Sequence, residues 1–161
     1  MKSSQVEIER HFAGLFGQHP KRARLGYGSF LTLDFGRSSK QHHRITYEWQ
    51  LWIQHANWQL IWKGQQIASS ETNRQVAEAA VRRLETRMLE KVVHHSDDKK
   101  TRFGFSGDVD LVCSAYPDSN EDEYCWSLYT PDAHVLLADH LGNLHYRRSD
   151  VAEPVHSATR Q

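Results

Sequence analysis

Residues 44–70 read RITYEWQLWIQHANWQLIWKGQQIASS and hold four of the five tryptophans in the chain. From 45 to 53 the large apolar residues take every second position, Ile45, Tyr47, Trp49, Leu51 and Ile53, with Thr46, Glu48 and Gln50 between them. Period two is the signature of a strand with one buried face. Trp52 breaks the polar register and predicts a second, partly covered face or an exposed contact. Alternation resumes at Trp58, Leu60 and Trp62 after a turn at Ala56-Asn57, and Gly64 turns the chain into a short third strand at Ile67. The stretch therefore predicts an antiparallel three-stranded meander whose aromatic face serves as core.

Working outward, residues 4–17 predict a helix. Ser4 and Glu7 have capping-box spacing, Ile8, Phe12, Leu15 and Phe16 line one face, and Gly17 ends it. Residues 18–26 form a basic connection with Lys21, Arg22 and Arg24, and Leu31, Leu33 and Phe35 alternate in a strand that stops at Gly36. After the meander, residues 71–93 predict one long helix capped at Thr72 or Asn73, with Val76, Ala80, Leu84, Met88 and Val92 four residues apart. Residues 94–102 read as a charged loop. Alternating stretches then recur around Phe103, Leu111, Trp126, Leu136 and Leu144, separated by Gly-, Pro- and Asp-rich turns.

The expected fold class is α+β: antiparallel β-meanders of about seven to eight strands, with an N-terminal helix and one long central helix packed on the sheet. Residues 1–150 form the domain and 151–161 a polar tail. A short repeat supports this plan. Trp58-Gln59-Leu60 with its turn and Ile67-Ala68 aligns without a gap on Trp126-Ser127-Leu128 with its turn and Val135-Leu136.

Lys+Arg and Asp+Glu both number 20, so no global field draws in nucleic acid or an anionic membrane. No stretch has the apolar length of a membrane span and the N-terminus lacks a signal-peptide core, which makes a cytoplasmic protein with reduced thiols the expectation. Cys113 lies on an apolar strand face. Cys125 alternates with Tyr124 and Trp126 and is expected to be the more exposed, with only acids near it in sequence, which disfavour a reactive thiolate. Walker A, H-E-x-x-H, G-x-G-x-x-G and nucleophile-elbow motifs are missing from the sequence, and no cofactor is expected.

Two candidate sites follow. If Gly142-Asn143 is a two-residue hairpin turn, His140 pairs with His145 across it, and a carboxylate from another strand would complete a metal site. The other is the acidic run Asp118, Glu121, Asp122 and Glu123 beside Tyr124, with Trp52 as a second aromatic contact. Acidic residues around an aromatic anchor suit a basic protein partner, since charge raises the on-rate and the ring supplies buried area. A second copy covering Trp52 or a strand edge is the homodimer alternative.

The runs GSFLTLDFG, YEWQLWIQHANWQL and WSLYTPDAHVLLAD resemble small bacterial α+β domains, some of which occur as immunity proteins beside polymorphic toxins. The resemblance implies a non-enzymatic domain that neutralises a basic toxin by direct binding. A metal-dependent enzyme or metal-binding protein with a histidine and carboxylate site is the alternative.

Overall fold

The computed structural model describes residues 2–117 and 123–150, with side chains from Ser4 onward. The chain is mixed α+β, as expected, but the described residues form eleven strands in two antiparallel sheets. In order they are α1 (Lys2–Phe12) with a 3₁₀ turn (Ala13–Leu15), β1 (Arg22–Leu25), β2 (Leu31–Gln41), β3 (Arg44–Ile53), β4 (Ala56–Trp62) and β5 (Gln65–Ser69). Then come α2 (Arg74–Arg82) with a 3₁₀ turn (Arg83–Thr86), β6 (Leu89–His95), β7 (Lys100–Phe105), β8 (Val109–Ala115), β9 (Tyr124–Tyr129), β10 (His134–Asp139) and β11 (Leu144–Arg148). One sheet has the order β1-β2-β3-β9-β10-β11, the other β5-β4-β8-β7-β6.

The stretch 44–70 is therefore not a three-stranded meander. β3 and β4 belong to different sheets, and the chain turns the corner at Gln54-His55, whose N–H groups donate to the carbonyls of Cys125 (3.0 Å) and Tyr124 (3.4 Å). The alternation holds, and β4 pairs with β5 as expected, but β3 pairs with β2 and β9 instead of β4. Leu51 and Ile53 on one strand and Trp58 and Leu60 on the next are all buried, because they face each other across the sandwich instead of lying side by side. The β2–β3 hairpin also runs past Gly36 to a turn at His42-His43, both at positive φ (50° and 66°) as a two-residue hairpin turn requires. It projects beyond the body, so Ile45 remains 50% exposed although it is in register with the core.

The expected long helix is replaced by three elements. α2 ends at Arg82, a 3₁₀ turn follows, and β6 starts at Leu89. Val76 (53%) and Met88 (44%), both assigned to the buried face, are exposed. The misreading has a local cause. β6 carries a bulge between Leu89 and Lys91 against β7, so its buried residues Leu89 and Val92 are three apart, a spacing that imitates a helix. Asn73 is the cap, its Oδ1 accepting the N–H groups of Gln75 (3.0 Å) and Val76 (3.4 Å). At the other helix Ser4 lies inside α1, which begins at Lys2, so it is not the cap. The basic connection holds β1, and the charged loop after residue 93 holds the ends of β6 and β7.

The short repeat marks a wider two-fold plan. Each half is a helix, a 3₁₀ turn and five strands, and β11 is an addition to the second half. Each half gives its first three strands to one sheet and its fourth and fifth to the other. The contacts agree residue by residue: Leu51 pairs with Leu128 and Ile53 with Trp126, while Leu111 pairs with Leu60 and Cys113 with Trp58. Ile8, Phe12 and Leu15 around α1 match Ala77, Val81 and Leu84 around α2 in spacing, and all are buried.

The helices close the seams between the sheets, each on the other half's first strand. The Gln5 amide donates to Val92 O (2.9 Å) and accepts from His94 N (3.2 Å), satisfying the open edge of β6 as a neighbouring strand would. In the second half Arg74 takes the matching place and donates to Leu25 O (3.0 Å) and Gly28 O (3.1 Å).

Where the first half has Leu25 opposite Leu31, the second has His94 opposite Thr101. Gly142 O can only accept, so His94 Nε2 (2.8 Å) carries the hydrogen and Nδ1 is an acceptor. The Thr101 hydroxyl then donates to Nδ1 (2.8 Å) and accepts from the Trp126 indole N–H (2.8 Å). Protonating His94 would place a donor on Nδ1 against a hydroxyl already engaged by Trp126. Burial lowers the His94 pKa below its ordinary 6.5, more than the Gly142 hydrogen bond raises it. The unfolded chain therefore takes the proton first as pH falls. Stability is expected to be complete above the unfolded value of 6.5 and to fall as pH drops from there through the depressed folded value, seen as a lower urea midpoint. His94→Gln should flatten that dependence.

Candidate binding surface

Among the described residues, the outer face of the six-stranded sheet carries no helix, since α1 and α2 lie at the seams. Its strand registers set two rows of side chains across all six strands. One runs Arg22, Asp34, Gln50, Tyr129, Val135, Arg147, and the other Arg24, Thr32, Trp52, Ser127, Leu137, His145. At the centre Trp52 packs on Tyr129 (ring centroids 4.7 Å apart) and meets Phe30 edge-on (5.5 Å). These rings are half-buried, whereas Ser127, Val135 and Leu137 beneath and beside them are buried yet face away from the main core.

Polar groups on this face are already oriented. Asp34 is buried, accepts from Arg22 Nε (3.0 Å) and Gln50 Nε2 (3.4 Å), and leaves Arg22 over the Tyr47 ring (5.1 Å). Gln54 Nε2 donates to Ser127 Oγ (3.4 Å). At the far edge Asp139 Oδ1 accepts the N–H groups of Leu141 (2.9 Å) and Asn143 (2.8 Å), while Oδ2 binds His145 Nε2 (2.8 Å). Burial raises the Asp139 pKa, but the His145 hydrogen bond and the two amide donors outweigh it and hold the carboxyl below its ordinary value.

A bulge in β9 brings Tyr124 here. The register with β10 shifts between Ala138 and Asp139, so Cys125 and Trp126 both belong to the core, and Tyr124 lies against His145 (5.9 Å, edge-on) and under Arg147 (5.8 Å). Beside it Glu123 Oε2 is 3.6 Å from His55 Nδ1. The structure thus gathers Trp52, Tyr124, Glu123 and His145 onto or beside one face. Asp118, Glu121 and Asp122 lie outside the described residues.

The His140–His145 pairing is not formed. The turn spans Asp139 to Asn143, closed by Asp139 N–H to Asn143 O (2.9 Å), and the register sets His145 opposite Leu137. The longer turn arises because Asp139 caps two amides inside it, which a two-residue loop would not present. The partner of His145 is Asp139, while His140 Nδ1 is buried without a hydrogen bond among the described residues. Among those residues no group of three or more His, Cys, Asp or Glu side chains is arranged to hold a metal. Cys125 is buried, contrary to the expected exposure. Burial, then Asp139 and Glu123, push its thiol up to about 11, and burial drives the Cys113 thiol well above its ordinary value.

Tyr129, Arg147 and Asp139 were missed. Only Asp139 had a local signal, an Asp shortly before Gly142-Asn143 in a turn. No helix among the described residues is long and apolar enough to cross a membrane. No family model, curated protein or solved structure matches this chain.

Proposed function

We propose that this chain is a non-enzymatic protein-binding domain that holds its partner on the outer face of the six-stranded sheet. The observation that carries the reading is the cluster of Phe30, Trp52 and Tyr129 on a sheet face that no helix of the described residues covers, flanked by Tyr124. Large rings presented by a rigid strand lattice supply contact area at little entropic cost, which is why Trp and Tyr dominate interface energetics. The acidic run Asp118, Glu121 and Asp122 continues into Glu123 and Tyr124 at one edge, so the partner is a basic protein. At the opposite edge Arg22 is neutralised by Asp34, which lessens the conflict with that charge. A toxin neutralised by an immunity-type domain has this character, because a nuclease surface must be basic to hold phosphate.

The test is to capture the partner from host lysate at low salt, identify it, and measure binding to variants. Trp52→Ala is expected to weaken affinity by about 2 kcal/mol or more, roughly thirtyfold. Reversing Asp122 and Glu123 to Lys should slow association and flatten its salt dependence. An affinity unchanged by Trp52→Ala would remove this face as the interface.

The His145–Asp139 pair favours a second reading, a histidine and carboxylate metal site with Nδ1 of His145 as the available donor. Zinc binding by equilibrium dialysis, lost in His145→Ala, would support it.

A further inference from the structure

A separate cluster lies at the end of the five-stranded sheet, below the last turn of α2. The guanidinium carbon of Arg83 is 3.9 Å from the centroid of the Trp62 ring and that of Arg87 is 4.7 Å from it. Among the described residues neither guanidinium has a carboxylate at ion-pair distance. The nearest acid in sequence, Glu85, is committed elsewhere, its Oε2 accepting the Ala23 N–H (2.9 Å). Arg82 and Arg83 complement the C-terminal dipole of α2, which accounts for cations there. It does not account for two guanidiniums converging on one indole, since like charges at that range repel.

Arg87 is held in place. Its backbone leaves the 3₁₀ turn with its N–H on Leu84 O (3.0 Å), and its side chain lies against Gly107, at φ +78°, where a Cβ would run into Nη1. Its Nε is shielded from solvent and has no hydrogen-bond partner among the described residues. Lys63 follows Trp62 directly, and its N–H donates to Asp108 O (2.8 Å), tying the β4–β5 turn to the turn that carries Gly107.

We infer that Arg83 and Arg87, held on Trp62, form a binding site for a dianionic phosphoryl group. Two fixed forks of N–H donors match its oxygens, and two cations with no carboxylate at ion-pair distance among the described residues favour a dianion over a single carboxylate. Indole stacking orients the forks and excludes water from one side of each. Arg83 also borders a shallow groove lined by Ile67, Val76 and Ala79, so the group arrives either as the free ion or as an ester whose apolar body lies there.

The test is a titration of the full chain with inorganic phosphate at low ionic strength, followed by ¹H–¹⁵N NMR of the arginine Nε–H and the five indole N–H signals. Saturable shifts are expected at Arg87 Nε–H and the Trp62 indole, with Trp58 and Trp126 unmoved. Arg87→Lys keeps the charge but removes the fork, and should weaken binding about tenfold. Arg83→Gln, at an exposed position, should do the same, and the unmoved Trp58 and Trp126 signals report that both variants fold. Tighter binding of phenyl phosphate than of phosphate identifies an ester as the ligand, and equal binding identifies the ion. No saturable shift, or shifts that persist in both variants, would overturn the site.

Discussion

Trp126→Ala is expected to destabilise the protein by about 3–5 kcal/mol, a loss to be read from urea unfolding. The residue is fully buried where the two sheets meet the first helix, with its ring against Phe12 (5.7 Å) and Phe103 (5.8 Å). Alanine would leave a cavity lined by both sheets, and neither can collapse without breaking its register. The same substitution at Trp52 is expected to cost about 1 kcal/mol, the worth of its ring contacts on a half-buried face. A similar cost at both positions would contradict this division of the tryptophans into core and surface.

The second large effect is expected at Thr101. Thr101→Val is nearly isosteric and removes only the hydroxyl, yet it strands the Trp126 N–H and leaves His94 Nδ1 without a donor. Each orphaned buried group costs about 1–3 kcal/mol, so a total of about 2–6 kcal/mol is expected. Its acid sensitivity should persist, because burial is the main cause of the lowered His94 pKa. A cost below about 1 kcal/mol would mean that the hydrogen-bonded chain is not holding the sheets.

Strand periodicity in the sequence located most of the β-structure, since alternation around Leu51, Trp58, Leu111 and Trp126 is a local property. The pairing was hidden because it is not local. Trp52 lies beside Ser127 and Trp58 beside Cys113, and nothing in residues 44–70 distinguishes a hairpin at Ala56 from a change of sheet. The helix that ran too far failed through one extra residue in β6, which turned a strand's spacing into a helix's. The candidate surface was half legible for the same reason. Trp52, Tyr124 and His145 stand out within their own segments, whereas Tyr129 and Arg147 acquire meaning only as neighbours across strands. The Arg83–Arg87 pair has no signal in its own segment, because its meeting on Trp62 depends on α2 ending at Arg82 and on β4, an earlier strand.

The crossed two-fold plan has a consequence during synthesis. β3 and β4 find their inner neighbours only in β9 and β8, and α1 finds its seat only in β6. At roughly 5–20 residues per second, the first half leaves the ribosome seconds before the strands that complete it. Through that interval it carries two apolar strands with unmet edges, which makes this nascent segment the part of the protein with most need of a chaperone.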